Sequence, residues 1–200
     1  MADQGVSIEL AAMDVSSYED SERAIGEIAD KYGAVDILVN CAGITRDGTL
    51  KKMPEANWKA VMATNLDSAF NTTRHVINGM LEKGWGRIVN IASVNGQRGQ
   101  FGQANYSAAK AGMHGFTMAV ALETAAKGIT VNTVSPGYIA TPMTEAMPEK
   151  VLEAIVNSVP MRRMGTPEEI ANTVAWLASE GNGYTTGANI PVNGGLFTSH

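Results

Sequence analysis

Short runs rich in β-branched residues alternate with longer stretches of helical periodicity along this 200-residue chain, and no other feature restricts its fold as tightly. Val6–Met13 (VSIELAAM), Val35–Asn40 (VDILVN), Gly86–Ala92 (GRIVNIA), Ile129–Ser135 (ITVNTVS) and Ala188–Val192 read as strands. Between them lie an amphipathic helix over Ser17–Tyr32, opened by Ser16 or Ser17, and helical periodicity with a break from Pro54 to Lys83. A long helix follows over Asn105–Ala126, and Gly128 stops it. Pro136–Gly165 is loop-rich, after which Thr166 caps a helix at Pro167–Leu177 with proline at its first position. Strands separated by helices demand crossover connections. The expected fold is therefore α/β, a Rossmann-like, doubly wound parallel sheet in one domain over residues 1–200. Ligands of such sheets lie beyond the C-terminal ends of the strands.

Several function classes are disfavoured at once. A net charge of −5 and a pI near 5.2 provide no overall basic field for nucleic acid or an anionic membrane. The first ten residues, MADQGVSIEL, lack the basic start and apolar core of a signal peptide. No apolar run approaches the ~18 residues that span a bilayer. These features predict a cytoplasmic protein with no membrane or nucleic-acid partner. One cysteine, Cys41, rules out an intrachain disulfide and disfavours a thiolate metal cage. Its setting, VNCAG after an apolar run, predicts a small buried residue. His75, His114 and His200 are scattered without ligand spacing, so no metal site is expected.

Chemistry concentrates in Tyr106-Ser107-Ala108-Ala109-Lys110. A spacing of four puts tyrosine and lysine on one helical face, a turn apart. An ammonium there is expected to lower the phenol pKa from about 10 toward the working range of an acid–base group. Ser93 ends the strand GRIVNIA, where the fold rule places active sites, and Asn65 sits within a helical stretch in TNLDSAF. Taken singly, each has a bland reading: a strand-ending serine, a helix-kinking asparagine, a surface Tyr/Lys pair.

The ordered series of motifs goes further. Asp14-Val15, Asn40–Gly43 (NCAG), Thr64–Leu66 (TNL), Ile91–Ser93 (IAS), YSAAK, Ser135–Tyr138 (SPGY) and Val192–Gly195 (VNGG) together resemble the short-chain dehydrogenase/reductase family across essentially the whole chain. That resemblance implies a nicotinamide-dependent enzyme interconverting ketone and secondary alcohol, with a tetrad of Asn65, Ser93, Tyr106 and Lys110. In the implied roles Tyr106 donates the proton and Ser93 hydrogen-bonds the ketone oxygen. Lys110 holds the ribose and tunes the tyrosine, and Asn65 positions a relay water. Asp14 and Val15 would contact adenine, and Asn40, Ala42 and Gly43 the adenosine ribose. Pro136, Gly137, Ile139 and Thr141 would cradle the nicotinamide. Cys41 stands where the family usually has a second asparagine. Homotetramers formed through the helices around Asn65–Met80 and Asn105–Ala126 are likewise implied.

GWGRIVN, NGQRGQFGQANYS and VNTVSPGYIAT are similar, more narrowly, to bacterial acetoacetyl-CoA reductases of polyhydroxybutyrate synthesis. In that subgroup Gln100, Phe101, Gln103 and Tyr138 would form the acyl pocket, with Asp47 near its entrance. The implied reaction is reduction of acetoacetyl-CoA to an (R)-3-hydroxyacyl thioester by NADPH, with NADH as the other candidate donor. Two alternatives stay open: a 3-oxoacyl-(acyl-carrier-protein) reductase, for which Arg162 and Arg163 are candidate docking cations, and a non-catalytic oligomerisation partner or inactive fragment.

The family's glycine fingerprint after its first strand is absent. GNGYTTG (Gly181–Gly187) precedes a strand instead of following one, so it cannot aim a helix N-terminus at a diphosphate. The chain is accordingly expected to lack the first two strand–helix units, to begin near a helix end capped by Gly5, and to bind a dinucleotide poorly by itself.

Overall fold

The computed structural model describes residues 8–141, 144 and 148–198. Gly5, the Val6–Ser7 start of the first expected strand, and His200 lie outside the described residues.

Helix α1 (Tyr18–Tyr32) begins where Ser17 Oγ accepts the amide of Asp20, and Glu19 and Asp20 place negative charge at its N-terminus. Strand β1 (Ile37–Asn40) leads through a loop to α2 (Glu55–Met62), a π-helical turn (Ala63–Asp67) and α3 (Ser68–Lys83). The expected break in that long helix is thus the π-turn. Gly84, in the left-handed region, ends α3 and hands the chain to β2 (Gly86–Ile91). Then come α4 (Val94–Arg98), α5 (Ala104–Thr124) and β3 (Ile129–Pro136). The chain closes with α6 (Glu149–Ser158), α7 (Pro167–Ala178) and β4 (Asn189–Val192). The cap expected at Thr166 is a full capping box: its side chain accepts from Glu169 N, and Glu169 Oε2 accepts from Thr166 N at 2.8 Å.

All four strands pair in parallel in the order β1-β2-β3-β4. Alternate residues of one strand serve opposite layers. Ile88 and Val131 join Val76 and Met80 of α3 and Ala121 of α5 on one face, while Val89 and Val134 meet Leu177 of α7 on the other. Helices cover both faces, which is the Rossmann-like arrangement expected from the alternation.

Two expectations fail. Residues 8–13 form no strand. Their backbone pairs with no strand among the described residues, and the segment runs beside α1 instead. There Lys31 pairs with Glu9 at 2.8 Å and Arg23 donates to Ala12 O at 3.1 Å. The stretch Pro136–Gly165 also contains α6, an amphipathic helix entered from Pro148, so it is not purely loop.

Candidate active site

β1, β2 and β3 point their C-terminal ends at one cleft of about 400 Å³. Gly43, Ser93, Tyr106, Lys110, Pro136 and Gly137 line it, together with Cys41, Ile44 and Arg46. Cys41 is exposed there, so the expectation of burial is corrected: the chain has already left the sheet at Asn40.

Tyr106 and Lys110 stand one turn apart on α5, with Lys110 Nζ 5.8 Å from the Tyr106 ring centroid. Lys110 is only 3% exposed, and its ammonium donates to Ile91 O at 2.7 Å. Burial pushes its pKa down to about 8. α4 packs closely on this turn of α5: a Cβ at Gly96 would lie 2.8 Å from the Lys110 carbonyl carbon. Tyr106 departs from expectation. Its pKa is raised, because burial outweighs the opposing effect of the Ser93 hydroxyl, and the Asp47 carboxylate pushes the same way as burial. The lysine, itself desolvated and bonded to a carbonyl, does not lower it. A phenol held protonated is a proton donor, not a base.

Ser93 is the N-cap of α4, and its Oγ accepts from Asn95 N at 3.1 Å. One oxygen lone pair is thereby engaged, leaving the O–H free to be donated. Asn65 lies fully buried in the π-turn, where Oδ1 accepts from Ile44 N at 2.8 Å and Nδ2 donates to Ile44 O at 2.9 Å. It shapes the cleft by holding the loop after β1. Asn105, which sequence reasoning passed over, is equally buried. Its Oδ1 accepts from Tyr106 N at 2.8 Å while Nδ2 donates to Arg46 O at 3.0 Å. The adjacency of Asn105 to Tyr106 was visible, but its partner 59 positions away was not.

The other expected cofactor positions scatter. Asp14 caps the turn into α1, accepting from Ser16 N at 2.9 Å, and Val15 O accepts from Asn71 Nδ2 at 3.0 Å. Asn40 turns toward the sheet and α3, bonded to Asn90 and Thr72. Ala42 is exposed beside Gly43. Ile139 bridges to Gly165, and Thr141 N donates to Thr144 Oγ1. Of the expected substrate contacts, Tyr138 lines a separate cavity of about 340 Å³ with Met161, Arg163 and Asn193. Gln100 and Phe101 line a third recess beside Leu50, where Phe101 is 88% exposed. Gln103 and Asp47 bond to each other at 2.9 Å. Ser93 and Tyr106 are thus the only expected substrate contacts that line the cleft, because α4 and the turn after it carry Gln100 and Phe101 away from its floor.

The arrangement suits a carbonyl oxygen that gains charge as it is reduced: a protonated phenol, an oriented hydroxyl and a buried cation converge on one space. Comparison with known proteins agrees. A family model described as enoyl-(acyl carrier protein) reductase matches residues 1–197. An acetoacetyl-CoA reductase of Allochromatium vinosum is 63% identical over 196 residues, covering 98% of this chain and 80% of that protein. The acetoacetyl-CoA reductase of Cupriavidus necator is 58% identical, covering 91% of this chain and 74% of its own length. A 3-oxoacyl-(acyl-carrier-protein) reductase of Vibrio cholerae is 49% identical, covering 93% of this chain and 76% of its own.

Proposed function

We propose that this chain, which belongs to the short-chain dehydrogenase/reductase family, reduces acetoacetyl-CoA to the (R)-3-hydroxyacyl thioester with NADPH. The observation that carries the reading is the single cleft at the C-terminal ends of the strands that Tyr106 shares with Ser93 and Lys110. Similarity at 58–63% to two acetoacetyl-CoA reductases supports the substrate.

The residues present fit a nicotinamide nucleotide. Lys110 Nζ has three hydrogens and gives one to Ile91 O, leaving donors for a ribose diol. A Cβ at Gly43 would stand 3.6 Å from Lys110 Nζ and 3.5 Å from Asn65 Oδ1, so glycine keeps that side of the ammonium open. The nucleotide supplies a hydride when bound. Tyr106 gives its phenolic proton to the oxygen of the substrate ketone, and Ser93 donates its O–H to the same oxygen. Lys110 offers its remaining N–H donors on the ribose side of the cleft. Asn65 and Asn105 hold Ile44 and Arg46 in place along the wall of that space. NADPH is proposed over NADH on the resemblance to the polyhydroxybutyrate-pathway reductases, which also suggests a cytoplasmic homotetramer. Phe70, Met118 and Leu122, exposed on α3 and α5, support that assembly. Among the described residues no helix is long and apolar enough to cross a membrane.

The pairing of Arg163 weighs against a carrier-protein substrate. Arg163 is held in a fork by Glu169 at 2.8 and 2.7 Å, and Arg162 donates to Asn157 O at 2.7 Å. A carboxylate thereby balances the Arg163 charge, whereas Arg162 keeps its charge and its other donors exposed. Comparing kcat/KM for acetoacetyl-CoA and for the matched carrier-protein thioester tests the reading. The CoA substrate is expected to be at least ~10-fold better, about 1.4 kcal/mol in the barrier. A reversed ratio would move the assignment to the carrier-protein enzyme, and absence of turnover with both would favour a non-catalytic role.

A further inference from the structure

The glycine-rich run Gly181–Gly187 takes no part in the cleft. It follows α7 and lies along the first half of β3, where Val131 N donates to Thr186 Oγ1 at 3.0 Å and Asn132 Nδ2 to Thr185 O at 2.7 Å. Beside it stands Arg87, only 3% exposed. Its Nε donates to Ser179 O at 3.3 Å, the same oxygen that accepts from Asn182 N at 3.3 Å. Nη1 donates to Gly86 O at 2.9 Å and to Gly128 O at 3.2 Å, and the guanidinium carbon lies 4.6 Å over the Trp85 ring. Three carbonyls and a ring fix the group but neutralise none of its charge. Nη2 keeps both hydrogens without a partner among the described residues, and a Cβ at Gly183 would lie 3.9 Å from it. Glu180 follows Ser179, but it is exposed and makes no ion pair with Arg87 among the described residues. Two more polar atoms go unmet here. Thr130 is the Cα partner of Arg87 in the β2–β3 pairing, so both side chains share the layer under α7. Thr130 Oγ1 and Asn182 Nδ2 are each buried without a partner.

Buried polar groups are ordinarily hydrogen-bonded, and a buried charge is ordinarily met by an opposite one. The unmet groups here are donors: the two hydrogens on Arg87 Nη2, the Asn182 amide, and a Thr130 hydroxyl free to donate as well. Water brings two lone pairs and no charge. A tetrahedral oxyanion brings negative charge and acceptors on several oxygens, which matches the set. We propose that Arg87, Thr130 and Asn182 form a binding site for a small tetrahedral oxyanion of the phosphate class. The site stands at the start of β2, whereas the cleft is lined by Ile91 at its end. Arg87 Nη2 and Asn182 Nδ2 donate to the anion, and the Thr130 hydroxyl donates to a further oxygen. Gly183 is exposed and carries no side chain over Nη2, so it leaves the approach open. The loop thus serves an anion through side chains of the strands and of its own turn, without the helix N-terminus that its place before β4 denies it. No residue is shared with the cleft, so the site stands apart from the proposed reduction.

Titration of the full chain with inorganic phosphate at constant ionic strength tests the site, read by the phosphorus NMR line width and by the melting temperature. Saturable binding with a Kd on the order of 1 mM is expected. At ten times that Kd the melting temperature is expected to rise by ~2 °C or more. Asn182→Asp supplies the negative charge from within. It is expected to weaken phosphate binding by at least ~10-fold and, in phosphate-free buffer, to raise the melting temperature toward that of phosphate-saturated wild type. Its turnover of acetoacetyl-CoA should match wild type. Thr130→Val is expected to weaken binding ~3-fold or more. Arg87→Met should abolish binding, and since Arg87 also bonds three carbonyls and that variant can fail to fold, Asn182→Asp decides. A line width indifferent to the protein, a melting temperature that climbs without saturation in any salt, or an Asn182→Asp response equal to wild type would overturn the site. So would phosphate binding seen only in Glu180→Gln, because Glu180 would then be the partner of the guanidinium.

Discussion

β1 carries as apolar a sequence as β2 and β3, yet the outer strand leaves Ile37 45% and Val39 40% exposed while the central pair is buried along nearly its whole length. Strand composition does not explain the difference; neighbours do. β2 and β3 each have a strand on both edges and helices on both faces, whereas β1 has one paired edge among the described residues. Residues 8–13 sharpen the lesson, since a strand-like sequence without a partner stays irregular. Function follows the same divide. Ser93, Lys110, Pro136 and Gly137 stand on or against the buried half, while the expected adenosine contacts Asp14 and Ala42 belong to the exposed half.

The contrast can be broken by mutation. Ile88→Ala, which empties a fully buried site between α3 and α5, is expected to lower the unfolding free energy by about 3 kcal/mol in a denaturant titration. Lys110→Met should do the opposite at the cost of activity. Placing the ammonium in the core depresses its pKa from 10.5 to about 8. At about 1.4 kcal/mol per pH unit that charge opposes folding by about 3 kcal/mol, partly offset by the bond to Ile91 O. The variant should be more stable by about 1–2 kcal/mol at neutral pH. The sign follows from the folded pKa lying below the unfolded one. The penalty is fully present below pH 8 and disappears as pH rises toward 10.5, so the stability gap between variant and wild type narrows over that window. The smallest effect belongs to the edge. Val39→Ala is expected to cost under ~1 kcal/mol, because much of that side chain already faces solvent. A loss at Val39 equal to that at Ile88 would dissolve the comparison.

Much of this was legible in the chain. Alternation marked the sheet as parallel because crossover helices leave no other connection, and the cap at Thr166 and the stop at Gly128 are local chemistry with local signals. The Tyr106/Lys110 pair was legible for the same reason, since helical spacing alone puts them together. What escaped depends on distance in sequence. That Asn65 would hold Ile44, or Asn105 Arg46, follows from tertiary approach, and an asparagine carries no mark of its future partner. The direction of the Tyr106 shift was misjudged because proximity to an ammonium was weighed and desolvation of both groups was not. Gln100 and Phe101 follow Ser93 closely in sequence, yet a short helix is enough to turn them into another recess.

The central claim is that Tyr106 gives the proton. Its most direct test is the turnover of Tyr106→Phe with acetoacetyl-CoA and NADPH, measured beside the melting temperature of the same sample. The hydroxyl is the only atom removed, and the ring keeps its packing. We expect kcat to fall by at least ~100-fold, some 2.7 kcal/mol in the barrier, with the melting temperature unchanged. A variant that folds normally and keeps more than ~10% of kcat, a barrier change under about 1.4 kcal/mol, would contradict the account.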